Sequence, residues 1–197
     1  GMEGGHAAAE LLFGKYSPSG KLPMTFPNSL EECPAHKIGT YAADKSVYSE
    51  GLEVGYRYYT TRGIEPLFSF GHGLSYAEFE YMDLRVEAPA GELPVSVDVD
   101  LKNTGDVIAK EVIQLYVEDV EASLFRPKME LKGFQKIELS PGEMKTVSFR
   151  LSQRDFSFFD PESKVWTVEP GEFVVHLGSA SNDIRLSASF SLAGFNS

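Results

Sequence analysis

Apolar and polar side chains alternate strictly over three stretches in the second half of the chain. Val95, Val97, Val99 and Leu101 are separated by Ser96, Asp98 and Asp100; Val147, Phe149 and Leu151 by Ser148 and Arg150; Ile184, Leu186, Ala188, Phe190 and Leu192 by Arg185, Ser187, Ser189 and Ser191. A period of two puts successive side chains on opposite faces, so each stretch predicts a strand with one face in a core and one in water. Further strands are expected at Val112 to Val117, Leu131 to Leu139 and Phe173 to Leu177. Turn chemistry separates them: Asn103-Thr104-Gly105-Asp106, Ser140-Pro141-Gly142-Glu143 and Glu169-Pro170-Gly171-Glu172. About seven short strands after Tyr81, without helices, predict a mainly β protein, an immunoglobulin-like sandwich. On this pattern His176 belongs to the water-facing side of its strand, and Trp166 to core or edge packing.

The N-terminal part follows other rules. Ala7 to Phe13 are good helix formers, and Gly14 stands where a helix stops, so a helix is expected between Glu3 and Gly14. A strand is expected at Lys21 to Phe26, followed by prolines and no further helix-strand repeat. A helix and strand without their sheet are the remnant of an α/β domain whose larger part lies upstream. From Asn28 to Tyr76 there is little periodicity, yet Tyr41, Tyr48, Tyr56, Tyr58, Tyr59, Phe68, Phe70 and Tyr76 fall there. A free linker is poor in aromatic residues, so this arm is expected to lie pinned against a surface.

Composition narrows the functional classes. The 197 residues are 42% hydrophobic and 24% charged, enough for one core or two small ones. A net charge of −11 repels phosphate backbones and anionic lipid, which argues against nucleic-acid or membrane-surface binding. No apolar run approaches the roughly 20 residues of a membrane span. The N-terminus, Gly1 before Met2, lacks a charged and then apolar leader and reads as lying inside a larger gene product, so it leaves the compartment of the parent open: periplasmic, secreted or cytoplasmic. The single cysteine, Cys33, excludes an internal disulfide and reads as a small, partly buried side chain.

Catalytic chemistry is hard to place on these residues. His6, His36, His72 and His176 form no i,i+4 pair and have no cysteine partner, so no metal site or cofactor is nominated. His72, between Gly71 and Gly73, is the one histidine whose setting suggests a specific backbone role. Retaining glycoside hydrolysis needs two carboxyls about 5 Å apart, but Asp98 with Asp100, and Glu118, Asp119 and Glu121, read as solvated surface. There is no G-x-S-x-G elbow and no phosphate-binding loop. The residues alone describe a β-sandwich with an aromatic N-terminal arm.

Several motifs, taken in order, go further. Glu3-Gly4-Gly5, Leu12-Phe13-Gly14, Pro18-Ser19-Gly20-Lys21-Leu22-Pro23-Met24-Thr25-Phe26-Pro27, Val54-Gly55-Tyr56-Arg57-Tyr58-Tyr59 and Pro66-Leu67-Phe68-Ser69-Phe70-Gly71-His72-Gly73-Leu74-Ser75-Tyr76 resemble the C-terminal part of bacterial β-glucosidases of glycoside hydrolase family 3. Lys102-Asn103-Thr104-Gly105, Glu130-Leu131-Lys132-Gly133-Phe134, Pro141-Gly142-Glu143 and Glu169-Pro170-Gly171-Glu172 resemble the fibronectin type III-like domain of the same enzymes. The resemblance implies an enzyme with a barrel carrying an Asp nucleophile, an α/β sandwich domain carrying a Glu acid/base, and a terminal fibronectin-like domain. Neither catalytic residue maps onto this chain, and Glu3 lies beyond the segment that holds the acid/base. The implied divisions are 1–27, the end of the α/β domain; 28–80, a linker arm; and 81–197, the sandwich. The implied partners are the upstream barrel and α/β domains and a neutral β-glycoside, with no cofactor, nucleic acid or membrane.

On this reading the chain alone is inactive, and Tyr56, Arg57, Tyr58, Tyr59 and His72 are the expected interdomain contacts of the arm. In the isolated chain these aromatics must either stay exposed or pack on its own sandwich. A competing function is a carbohydrate- or protein-binding sandwich, whose exposed aromatics would come from Phe125 or from Phe156, Phe158 and Phe159. A purely structural or adhesion module differs from it only in partner.

Overall fold

The computed structural model describes residues 1–38, 44–88 and 93–193, and the backbone of Phe195 and Asn196. Tyr41 lies outside the described residues. The alternating stretches form β2 (Val95–Asn103), β5 (Met144–Leu151) and β9 (Asp183–Leu192), joined by β1 (Phe79–Glu87), β3 (Ala109–Asp119), β4 (Glu130–Leu139) and β8 (Gly171–Ala180). Two antiparallel sheets result, in the orders β1-β2-β5 and β4-β3-β8-β9. Their inner faces share one core: Val95, Val97, Val99 and Leu101 of β2 and Val147, Phe149 and Leu151 of β5 join Ile113, Leu115 and Val117 of β3 and Phe173, Val175 and Leu177 of β8. This is the expected sandwich, and burial of that apolar face is its main source of stability.

A third, small sheet orders β6 (Phe158–Asp160), β7 (Val165–Val168) and β10 (Phe195–Asn196) as β10-β7-β6. The stretch after Tyr81 is not free of helix. One turn, α4 (Gln153–Phe156), is held by a capping box between Ser152 and Asp155 and drives Phe156 into the core against Phe173 and Phe190. The sequence Ser152-Gln153-Arg154-Asp155 carries that signal.

The N-terminal helix α1 (Gly4–Leu12) forms as expected, with Gly14 at a φ of +74° just beyond its end. The strand expected at Lys21 to Phe26 does not form. Only Phe26 and Phe68 make a bridge, while the Leu22 N–H donates to the His72 carbonyl at 2.9 Å and the Gly71 N–H to the Leu22 carbonyl at 2.8 Å. Pro23 has no N–H to donate, and it interrupts the ladder between these two points. The arm, expected to lack periodic structure, contains one turn of 3₁₀ helix (Leu30–Glu32), a short α2 (Pro34–Lys37) and α3 (Tyr56–Arg62). Gly55 at φ +60° and Gly63 at φ +63° bracket α3, and Gly63 takes the left-handed C-cap position.

Candidate interdomain surface

Helix α3 lies against the outer face of the four-stranded sheet. The Tyr56 ring stacks on Phe70 at 5.0 Å and meets the edge of Tyr116 at 5.7 Å, and its hydroxyl accepts the Leu131 N–H at 2.7 Å. Burial pushes the Tyr56 phenol up. Arg57 reaches Glu130 of β4 at 3.4 Å. Tyr58, 1% exposed, meets Tyr59 edge to face at 5.3 Å and lies under the Arg62 guanidinium. Tyr59 is buried too, its hydroxyl donating to the Glu32 carbonyl at 3.4 Å. Of the two fates open to these aromatics, the chain therefore shows packing on its own sandwich.

His72 works through its backbone, bonding Leu22 and Ser69, while its ring leans on Phe68 at 5.1 Å. The glycines beside it are required. Gly71 has a φ of +82°, and a Cβ there would stand 2.3 Å from the Gln114 amide; a Cβ at Gly73 would stand 2.4 Å from the Gly20 carbonyl oxygen. Gln114 is buried, donating to the Ser179 carbonyl at 2.6 Å and accepting from the Tyr116 hydroxyl at 2.5 Å. The outer face of β3 is thus a polar seam closed by the arm, and burial drives the Tyr116 phenol strongly upward.

Several acidic and histidine side chains expected at the solvated surface are also paired. Asp119 ends β3 and is ion-paired with the buried Arg126 at 2.7 Å. Burial pushes its carboxyl up despite that partner. Burial also acts on Glu130, but Lys132, Arg126 and Arg57 outweigh it and hold that carboxyl below its usual range. His176 is half-buried rather than water-facing: Nε2 bonds Glu118 at 2.7 Å and Nδ1 bonds Ser187 at 2.7 Å. Ser187 is the direct cross-strand partner of His176 on β9, and Glu118 is its diagonal neighbour on β3, so the three read as cross-strand pairing. Asp100 bonds Arg85 through both carboxylate oxygens at 3.1 Å.

The opposite condition holds over the N-terminal segment. None of the residues of α1 is buried, and Leu12 and Phe13 are 79% and 90% exposed. Tyr16, Met24, Phe26, Leu30, Leu67, Phe68, Leu74 and Tyr76 are exposed as well. Exposed apolar side chains spread through the described part of residues 2–76 exceed the isolated ones normal for a folded monomer.

Comparison with known proteins falls on the same two regions. Residues 1–76 match the Glycosyl hydrolase family 3 C-terminal domain, and residues 111–181 the Fibronectin type III-like domain. The chain is similar to thermostable beta-glucosidase B of Acetivibrio thermocellus, 49% identical over 187 residues, covering 94% of this chain and 25% of that protein. It is similar also to an exo-alpha-(1->6)-L-arabinopyranosidase of Bifidobacterium breve, 40% identical over 194 residues, covering 98% of this chain and 26% of that protein. Among solved structures, beta-glucosidase 3B from Thermotoga neapolitana in complex with glycerol superposes with a TM-score of 0.90 at 40% identity, covering all of this chain and 28% of that one. The chain spans about a quarter of the length of the curated relatives it matches. It belongs to glycoside hydrolase family 3, of which it carries the end of the C-terminal domain and the fibronectin type III-like domain.

Proposed function

We propose that this chain is the supporting, non-catalytic C-terminal part of an exo-acting β-glycosidase that cleaves terminal non-reducing β-linked sugars by a retaining two-carboxylate mechanism. The carrying observation is the exposed apolar face of residues 2–76, in the segment that matches the family's C-terminal domain. Such a face is stable in water only when covered, and the upstream α/β domain is its natural cover. We divide the chain into the end of that domain at 1–27, an arm at 28–80 and a sandwich at 81–197. Within it, α3 and the Gly71-His72-Gly73 turn clamp the arm to the sandwich, which fixes the direction in which the apolar face points. The interdomain role of Tyr56, Arg57, Tyr58, Tyr59 and His72 is then to lock arm to sandwich, leaving Leu12, Phe13, Phe26 and Tyr76 to meet the upstream domain.

The test is initial-rate hydrolysis of aryl β-glycosides by the purified chain beside the longer gene product that contains it. Turnover confined to the longer protein is expected. Reproducible turnover by the 197 residues alone would contradict the reading.

A further inference from the structure

The connection between β2 and β3, residues 104–108, is apolar at its tip. Val107 and Ile108 are 40% and 60% exposed, and Met144, at the start of β5 and the register partner of Lys102, is 57% exposed. A single exposed apolar side chain is ordinary, but this group is held rigidly from below. Asn103, fully buried, commits its whole side chain to the connection: Nδ2 donates to the Val107 carbonyl at 2.8 Å and to the Leu139 carbonyl at 3.0 Å, and Oδ1 accepts the Gly105 N–H at 2.9 Å. Its backbone holds the neighbouring β4–β5 turn, the N–H donating to the Glu143 carbonyl at 3.0 Å and the carbonyl accepting the Gly142 N–H at 2.9 Å. One residue thereby sets two adjacent turns into one end of the sandwich. The same end receives the arm. Thr104 donates its N–H to the Glu78 carbonyl at 2.9 Å, and a Cβ on Gly105 would stand 2.9 Å from the Ala77 Cα. One residue back, the Tyr76 hydroxyl donates to the Leu11 carbonyl of α1 at 2.8 Å. The exposed Leu12, Phe13, Leu74 and Tyr76 each stand at or within two residues of these links.

We propose that the 104–108 connection is a direct contact between the sandwich and the upstream α/β domain, made by Val107 and Ile108 with Met144 at its edge. The inference rests on the glycosidase reading above and adds to it: there the arm alone ties the sandwich to that domain, whereas here the sandwich touches it as well. Continuity and length single out the occupant. The apolar side chains assigned to the upstream domain reach this end through Tyr76, and about three-quarters of the Acetivibrio thermocellus relative lies outside the part that this chain covers. The tip has the anatomy of an interface, an apolar centre with exposed Asp106 and the Glu143–Lys145 ion pair beside it. Val107 and Ile108 offer the partner no side-chain hydrogen bond, so the surface that covers them is apolar. Because Asn103 already fixes the connection, docking orders little that is not ordered beforehand.

Thiol labelling reads this contact directly. Ile108→Cys is introduced into the 197-residue chain and into the longer gene product, and its reaction with a maleimide is followed by peptide mass spectrometry, which scores Cys33 separately. The new thiol should react about tenfold more slowly, or slower still, in the longer protein at every protein concentration. Phe125→Cys is the reference: Phe125 is 59% exposed but follows Asp119 at the other end of β3, so its rate should be the same in both proteins. Ile108→Lys should leave the melting temperature of the chain unchanged and lower that of the longer protein by about 3 °C or more, whereas a purely local role in the turn would lower both. Equal labelling of Ile108→Cys in the two proteins, or a melting temperature of the longer protein that Ile108→Lys does not move, overturns the proposal. So does protection that disappears on dilution, which would assign the tip to a second copy of the protein. Leu12→Cys keeps the two readings apart. Protected while Ile108→Cys stays open, it retains the upstream partner and removes only this contact; open together with Ile108→Cys, it removes both.

Discussion

At the scale of single residues, the Gly-His-Gly turn shows why sequence context matters more than side-chain chemistry. His72 stands out as a candidate for a specific role, and its backbone has one, but the geometry is imposed by its neighbours. Gly71 needs a left-handed φ, and its missing Cβ leaves room for the Gln114 amide, itself tied to Ser179 and Tyr116. Gly71→Ala is therefore expected to destabilise the chain by about 2–4 kcal/mol in chemical denaturation, combining backbone strain with a displaced buried amide. Gly51→Ala, at a φ of +58° but facing open space, should cost only about 1 kcal/mol.

The buried phenols set a second expectation at this scale. Burial, with smaller contributions from Cys33, Tyr58 and Glu32, pushes Tyr59 up to about 12 from an ordinary value of 10.0. Because the folded pKa lies above the unfolded one, the contribution of neutral Tyr59 is whole below pH 10 and is lost as pH rises toward about 12. Denaturation across that alkaline range should show falling stability that Tyr59→Phe reduces. A slope unchanged by the substitution would mean that Tyr59 is not the group responsible.

Among elements, the seam between α3 and the sheet has the clearest energetic content. Tyr56→Phe removes one hydrogen bond to the Leu131 N–H and should lower stability by about 1 kcal/mol, whereas Tyr58→Ala empties a fully buried site and should cost about 3–5 kcal/mol. Arg57→Ala should fall below about 1 kcal/mol, because its ion pair with Glu130 is partly in water. Equal losses for Tyr58→Ala and Arg57→Ala in urea titrations would contradict this ranking.

The elements also differ in how plainly the sequence declares them. One-sided strands such as β2, β5 and β9 are legible because water on one face enforces alternation. The near-continuous run Val112-Ile113-Gln114-Leu115-Tyr116-Val117 departs from it, and both faces of β3 are buried, the outer one under the arm. That run was the available sign of a covered face. Helix α3 was not legible from apolar spacing, since Tyr58 and Tyr59 are buried, and Tyr56 half-buried, by tertiary packing rather than by a helical stripe; its signs were the flanking Gly55 and Gly63. Phe159 is visible in the sequence as an aromatic outside the strand pattern, but its meeting with Trp166 depends on the small sheet that pairs β6 with β7.

Taken whole, the molecule divides into a sandwich that satisfies itself and an N-terminal face that does not. The sandwich has a closed core, while α1, with no buried residue, and the segments around Phe26 and Leu74 expose side chains that a stable domain buries. The most direct test of this division is to mix the purified chain with the separately produced upstream part of the same gene product and follow hydrolysis of an aryl β-glucoside. Recovery of activity on mixing, abolished by Leu12→Lys with Phe13→Lys but kept by Phe134→Lys, is the expected result. Full activity of the upstream part alone, unaltered in rate and thermal stability by the chain, would contradict the supporting role and leave the apolar face to another partner.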